Sequence, residues 1–210
     1  MTEIILARHG ETEWNLGEIF RGRIDIALNE TGIRQAELLA DYLSDVRIEA
    51  IYSSPLKRAL KTAEAMARPH KLEVAITSGL IDLDFGQWQG LTLQEVKKKY
   101  GELFTEWTDS PERVKMPGGE SLNDVDTRAI AVVHEVTARY KGTVVLVSHR
   151  VVNKVLICAL LGLDNSHFWN IRQATGGITT FTYANGRFIL SEHNNTSYLK
   201  PLQKAPLGDF

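Results

Sequence analysis

The chain has 210 residues, which is enough for one substantial hydrophobic core. Its hydrophobic fraction of 43% and its charged fraction of 24% are ordinary for a globular protein. The net charge of -2 gives no reason to expect nucleic acid or an anionic membrane as a partner. No run approaches the roughly 18 apolar residues of a membrane span, and the N-terminus has no signal-peptide pattern. These features predict a cytoplasmic protein.

Three short apolar runs predict buried strands, over residues 4–7, 50–52 and 144–147. Polar residues do not interrupt these β-branched runs, which is typical of a sheet covered on both faces. Near the end of the chain, the runs 179–183 and 187–190 flank Asn185 and Gly186. An Asn-Gly pair favours positive φ at both turn positions and therefore predicts a β-hairpin.

Cap signals predict where the helices begin. Ser54 is expected as an N-cap with Pro55 in the first helical position, and a helix over residues 151–161 is expected to stop at Gly162. Three further starts are indicated by Thr31, by Thr92 with Glu95, and by Ser121 with Asp124. Strands that alternate with helices predict an α/β fold, a three-layer α/β/α sandwich with a largely parallel central sheet and an antiparallel edge hairpin. We expect one domain over residues 1–199 and a loose tail over 200–210.

Charged side chains follow each of the three predicted strands. Arg8 and His9 follow the first, Arg58 lies one helical turn beyond the second, and His149 follows the third. Because ligands bind beyond the carboxyl ends of parallel strands, we expect these residues at one edge of the sheet. Gathered cations repel one another, and a bound dianion would resolve that repulsion. Arginine forks match phosphate oxygens, so the pattern indicates a phosphate pocket.

Three segments carry a family resemblance. LARHGETEWN at residues 6–15, SSPLKRALKTA at 53–63 and LVSH at 146–149 resemble, in this order, the histidine phosphatase superfamily, the phosphoglycerate-mutase-like group. The resemblance implies that His9 is the nucleophile and that Arg8, Arg58 and His149 surround the same phosphate. It also implies that Asn15 reaches the phosphate. Arg21 and Gly22, in the segment RGRID, are candidate substrate-binding residues.

The implied chemistry is a two-step transfer of phosphate to His9 and then to water. The nucleophile must be a neutral imidazole, and Arg8 and Arg58 would lower the pKa of His9. Together with a protonated His149, they would neutralise charge on the transferred phosphoryl group. No cofactor and no metal are expected, because none of the six histidines is paired at a tight ligand spacing.

The proton donor is less clearly marked. In the family it is a glutamate in a segment resembling L-x-E-x-x-x-G, and here the corresponding segment reads LIDLDFG. The matching residue is Asp82, which is one methylene shorter than the usual glutamate. Asp84, two residues further along, is the competing carboxylate.

Three functions fit these motifs. The favoured one is a phosphoric monoester hydrolase that acts on small phosphorylated metabolites. A cofactor-dependent phosphoglycerate mutase is the alternative, but family mutases carry a longer insertion than residues 100–119, and the PGGES that ends this stretch resembles the phosphatase branch. A non-catalytic phosphate-binding protein is the third. The sequence specifies neither the substrate nor whether the protein forms a homodimer.

Overall fold

The computed structural model describes residues 1–202. Six strands form one sheet, in the order β3-β2-β4-β1-β5-β6: β1 Thr2–Arg8, β2 Ile48–Ser53, β3 Val74–Ile76, β4 Thr143–Ser148, β5 Ile178–Ala184 and β6 Arg187–Asn195. The strands β1 to β4 run parallel to one another, whereas β5 pairs antiparallel with both β1 and β6. The antiparallel hairpin at the edge of a largely parallel sheet is therefore confirmed.

Seven α-helices surround this sheet: α1 Glu13–Leu16, α2 Glu30–Tyr42, α3 Lys57–His70, α4 Leu93–Lys99, α5 Gly101–Asp109, α6 Leu122–Arg139 and α7 Arg150–Leu160, counted over residues 1–202. Short 3-10 helices cover Ser78–Leu80, Gly86–Trp88, Pro111–Arg113, Asn165–Asn170 and Ser197–Leu202. No helix among the described residues is both long and apolar enough to cross a lipid bilayer.

Alternating side chains of the sheet bury two separate hydrophobic cores. Ile5 and Ala7 of β1 pack with residues of α2 and α3, including Leu39. Ile4 and Leu6 face the other way and pack with residues of α6 and α7. Successive side chains of a strand point to opposite faces, so helices cover both faces of β1. This arrangement confirms the three-layer α/β/α sandwich.

Both predicted capping boxes are present. Thr92 and Glu95 exchange hydrogen bonds at the start of α4, and Ser121 and Asp124 do the same at the start of α6. Gly162 follows α7 with a φ of 72°, as expected for a helix stop. The helix itself begins at Arg150, one residue before the predicted start.

Two predicted helix starts are wrong. Helix α2 is capped by Asn29 rather than Thr31, because the Asn29 side chain accepts a hydrogen bond from the Gly32 amide at 2.8 Å. Helix α3 begins at Lys57 rather than at Pro55. The reason is that the Ser54 amide still donates to the Val147 carbonyl, at 3.0 Å, and so prolongs the sheet by one residue.

The predicted tail is only partly described. Residues 200–202 belong to the 3-10 helix Ser197–Leu202, in which Leu199 is buried, so the expected boundary falls inside an ordered turn. Residues 203–210 lie outside the described part of the chain. The assignment of residues 1–199 to a single domain stays a prediction. Strand β3 has no counterpart among the predictions, because its three residues lie at the edge of the sheet and are at most half-buried.

Candidate active site

The sheet register brings the charged motifs together. Arg8 is the last residue of β1 and pairs with Ser148, the last residue of β4. The His9 amide donates to the Ser148 carbonyl at 3.0 Å, so the two histidines that follow these strands are neighbours. The ring centroids of His9 and His149 lie 5.2 Å apart. In the structure, His9 and His149 therefore lie together at the carboxyl edge of the sheet, as predicted.

His9 is held with one ring nitrogen committed to the backbone. Its Nδ1 lies 2.6 Å from the Gly10 carbonyl oxygen, which makes Nδ1 the donor and leaves the lone pair on Nε2. Burial, followed by the charges of Arg58, Arg8 and Arg21, lowers the pKa of His9 well below its usual range. The imidazole is therefore neutral at neutral pH, as a nitrogen nucleophile requires.

His149 is fully buried and has two polar neighbours. Its Nε2 lies 2.8 Å from the Ser54 hydroxyl, and its Nδ1 lies 3.6 Å from Oδ2 of Asp82. Burial, then the charges of Arg58 and other cations, lowers the pKa of His149 well below its usual range. Without a ligand, the protein's own charges therefore favour a neutral His149, and a bound phosphate dianion would favour the protonated form expected from the sequence.

The two expected phosphate-binding arginines both lie close enough to His9 to lower its pKa. Arg58 is fully buried and donates to the Gly22 carbonyl at 2.7 Å, to the Ile24 carbonyl at 2.9 Å and to Asp82 at 3.1 Å. Arg8 is buried and donates to the Gln173 carbonyl. These backbone partners fix both guanidinium groups in place before any ligand arrives.

The structure separates the two competing carboxylates. Asp82 is buried, and its Oδ2 faces both Arg58 and His149. Asp84 instead accepts from the Gly86 amide at 2.8 Å and lies 3.5 Å from Arg23. Asp82 is therefore the carboxylate that belongs to the histidine and arginine cluster.

A pocket opens onto this cluster and contains the remaining predicted residues. Asn15, Arg21 and Gly22 line it together with His9 and Asp82. The side-chain oxygen of Asn15 caps helix α1, which leaves its amide nitrogen to serve a ligand. Gly22 has a φ of 50°, and its carbonyl holds Arg58. Burial, and then the nearby charge of Arg150, lowers the pKa of Arg21 to about 9.

Several residues of the site were not predicted. Ser54 was interpreted only as a helix cap, and its contact with His149 depends on the neighbouring strand. Gln173 holds Arg8 from a segment with no recognisable motif. Arg150 lines the pocket and directly follows LVSH at the same edge of the sheet, but no role was predicted for it. Within residues 1–202, no group of three or more His, Cys, Asp or Glu side chains could hold a metal ion.

These observations define an α/β protein with a buried pocket suited to a phosphate ester. Two fixed guanidinium groups offer donors to phosphate oxygens, and a neutral imidazole with a free ring nitrogen stands beside them. The Asp82 carboxylate faces both Arg58 and His149 at the edge of the same space.

Comparison with known proteins agrees with this class. The model of the histidine phosphatase superfamily (branch 1) matches residues 4–196. Phosphoserine phosphatase 1 of Hydrogenobacter thermophilus is 40% identical over 200 residues, which cover 95% of each chain. The structure of Bacillus stearothermophilus YhfR has a TM-score of 0.91 at 30% identity and covers 95% of this chain and 100% of its own. An Entamoeba histolytica phosphoserine phosphatase, solved with 3-phosphoglyceric acid, has a TM-score of 0.82 at 32% identity with the same coverage.

The chain belongs to the histidine phosphatase superfamily, branch 1. The resemblance predicted from its three motifs is confirmed, and so is the prediction of a phosphoric monoester hydrolase. The non-catalytic alternative is set aside on the same grounds.

Proposed function

We propose that this phosphatase hydrolyses phosphoserine or a closely similar carboxylate-bearing monophosphate, with His9 as its nucleophile. The observation that carries the proposed mechanism is the free Nε2 of a neutral His9 beside Arg58 and His149. The substrate class rests on the similarity to phosphoserine phosphatase 1 over nearly the full length of both chains. Phosphoserine and the 3-phosphoglyceric acid bound in the related structure share one feature, a carboxylate two carbons from the ester oxygen.

In the first step, Nε2 of His9 forms a bond to phosphorus while the bond from phosphorus to the ester oxygen breaks. Arg8 and Arg58 donate to the equatorial oxygens, where negative charge accumulates in a loose transition state. Asp82 delivers its proton to the leaving oxygen, which departs as the serine hydroxyl. A phosphate dianion beside Asp82 favours the protonated form that this role requires.

In the second step, water attacks the phosphorus of phosphohistidine. Asp82, now a carboxylate, accepts the proton from that water, and the bond between phosphorus and Nε2 breaks. Inorganic phosphate leaves and His9 returns to its starting state. His149, supported by the Ser54 hydroxyl, and the amide nitrogen of Asn15 donate to phosphate oxygens in both steps. After the second step His9 is free and Asp82 is protonated again, so each cycle consumes only the phosphate ester and water.

The proposal is tested by phosphate release from phosphoserine in the presence of EDTA. We expect steady turnover by the wild-type protein and an acid-labile phosphoenzyme in rapidly quenched samples. His9→Ala should lose both, whereas His134→Ala, at an exposed site on α6, should lose neither. Turnover that disappears on adding EDTA would show that a metal takes part.

The mutase alternative has its own readout. Incubation with 3-phosphoglycerate should give free phosphate if the enzyme is a hydrolase. An isomerised phosphoglycerate without phosphate release would contradict the proposed hydrolysis. Activity on p-nitrophenyl phosphate combined with inertness towards phosphoserine would leave the mechanism standing and overturn the substrate.

A cytoplasmic location, the lack of nucleic-acid or membrane partners, and assembly as a homodimer stay predictions. The net charge of -2 and the proposed small-metabolite substrate support the first two.

A further inference from the structure

Two arginines of the pocket, Arg21 and Arg150, do not belong to the cluster of His9, His149, Arg8 and Arg58. Arg21 follows Phe20 in the loop after α1, and Arg150 is the first residue of α7. Both line the same pocket as His9. The charge of Arg21 lowers the pKa of both His9 and His149, so Arg21 lies near the phosphate position, and Arg150 lies close enough to Arg21 to lower its pKa in turn.

The placement of both arginines in one pocket carries a cost. Arg150 occupies the N-terminal turn of an 11-residue helix, where the helix dipole disfavours a positive charge. Within residues 1–202, no group accepts a hydrogen bond from Nε of Arg21, which is shielded from solvent. Asp82, the buried carboxylate nearby, already pairs with Arg58. A second anion held by the two guanidinium groups would offset the helix-dipole cost at Arg150 and give Nε of Arg21 an acceptor.

We propose that Arg21 and Arg150 form a carboxylate subsite that selects monophosphates bearing a carboxylate two carbons from the ester oxygen. This inference rests on the proposed function and deepens it. Phosphate and carboxylate would then occupy one continuous row of cations, with Arg8 and Arg58 at the inner end and Arg150 at the outer end. Of this pair, only Arg21 was predicted from the sequence as a substrate-binding residue.

Arg150 is the cleaner residue to alter. Arg21 is one of the charges that lower the pKa of both His9 and His149, so its replacement would alter the nucleophile as well as substrate recognition. Arg150→Met should change recognition of the carboxylate. Arg150→Lys keeps the charge but loses the planar fork, so it should restore part of the selectivity.

The test uses two matched substrate pairs. Phosphoserine and O-phosphoethanolamine differ by a carboxylate, and 3-phosphoglycerate and glycerol 3-phosphate differ by a carboxylate in place of a hydroxymethyl group. In the wild-type protein, kcat/KM should favour the carboxylate member of each pair by at least about tenfold, as expected for a charge-assisted contact. In Arg150→Met, the ratio within each pair should fall towards unity, mainly through KM for the carboxylate member.

The control variant is Arg34→Met, which removes an equal charge from an exposed ion pair with Glu37, outside the pocket. Its substrate ratios should equal those of the wild type. Equal losses for both members of a pair in Arg150→Met, or a wild-type ratio near unity, would overturn the subsite and leave phosphoserine hydrolysis intact. Inertness towards phosphoserine, combined with an Arg150-dependent preference for 3-phosphoglycerate over glycerol 3-phosphate, would instead overturn the phosphoserine assignment and keep the subsite.

Discussion

His9 is kept neutral by its surroundings rather than by its own chemistry. Burial contributes most to lowering its pKa, and the charges of Arg58, Arg8 and Arg21 add to that effect. The same arginines that attract a phosphate dianion thus repel a proton from the nucleophile. One set of charges therefore serves both binding and activation.

We expect this coupling to appear in the pH dependence of kcat/KM. Because the pKa of His9 lies below 6.5, activity should persist below pH 6.5 and fall only at lower pH, when the ring is protonated. Arg21→Met removes one of the charges that lower this pKa, so the acid limb should move to higher pH. The profiles are measured with p-nitrophenyl phosphate as the common substrate, which makes the substrate's own ionisation identical in both. An unshifted acid limb in Arg21→Met would contradict the electrostatic explanation.

The two carboxylates of the LIDLDFG segment make a second residue-scale prediction. Asp82→Asn should lower kcat/KM for phosphoserine by about a hundredfold, the typical worth of a general acid, and spare p-nitrophenyl phosphate, whose leaving group barely needs a proton. Asp84→Asn should affect the two substrates equally, because its carboxylate faces Gly86 and Arg23. A leaving-group effect confined to Asp84→Asn would transfer the role of proton donor to Asp84.

At the scale of elements, the strand order explains why the motifs converge. It also explains why the adjacency of the strands and the start of α3 could not be predicted from the sequence. The sequence indicated that strands precede His9 and His149, but only the pairing of Arg8 with Ser148 shows that these strands are adjacent. The starts of α4 and α6 were predictable because their capping boxes are local in sequence. The start of α3 was not predictable, because the Ser54 amide is hydrogen-bonded to Val147 of β4, a residue distant in sequence.

Helix α6 positions the segment that carries Asp82, through a residue that no motif indicated. Arg128 donates to the carbonyls of Gly79 at 2.9 Å, Ile81 at 2.6 Å and Asp82 at 3.1 Å. Glu120 pairs with the same guanidinium at 3.0 Å. These bonds tie the acid-bearing segment to a rigid helix, so Arg128 is a positioning residue.

Loss of this support should resemble a weakened proton donor. Arg128→Met should lower kcat/KM for phosphoserine roughly tenfold more than for p-nitrophenyl phosphate, because Asp82 is no longer held at the leaving oxygen. Stability should also fall, by about 2 kcal/mol, as charge-assisted hydrogen bonds are lost. Arg139→Met, at an exposed site on the same helix, is the matched control and should show neither effect. A stability loss without any leaving-group dependence would reduce Arg128 to a purely structural role.

The N-terminal turn of α2 packs closely against the loop after β1. A Cβ on Gly32 would meet the backbone nitrogen and carbonyl oxygen of Glu11, two residues beyond His9. Gly32→Ala should therefore cost about 1 to 3 kcal/mol of unfolding free energy and lower activity by displacing the loop. Gly101→Ala, at the open first position of α5, should be neutral or slightly stabilising. Urea denaturation of both variants makes the comparison, and equal stabilities would refute the steric argument.

For the whole molecule, the α/β class and the common edge of the motifs followed from the sequence, whereas the charge balance of the pocket did not. The direction of each side chain decides which charged groups face one another in the pocket. Asp82 and Asp84 lie on the same side of an extended segment, so only the family motif favoured Asp82. In the structure one faces His149 and the other Arg23. The low pKa of His149 in the site without a ligand was not predictable for the same reason, because burial and the combined charges of several arginines act on it together.

Those buried imidazoles should also govern the stability of the entire fold below neutral pH. The pKa values of His9 and His149 are lowered in the folded state, so below about pH 6.5 the unfolded chain binds protons that the folded chain excludes. The free energy of unfolding should therefore be constant above this pH. As the pH falls below it, the free energy should decline by up to about 1.4 kcal/mol per pH unit for each histidine.

Urea denaturation between pH 7.5 and 4.5, in buffers without phosphate, measures this dependence. The double variant His9→Gln with His149→Gln removes both groups, so its stability should change much less over that interval, whatever its stability at pH 7.5. His134→Gln, which alters an exposed histidine, should keep the wild-type dependence. Bound inorganic phosphate should flatten the wild-type curve, because a dianion beside His149 raises its pKa in the folded state and narrows the difference from the unfolded chain. Parallel curves for the wild type and the double variant would show that acid destabilisation arises elsewhere in the fold.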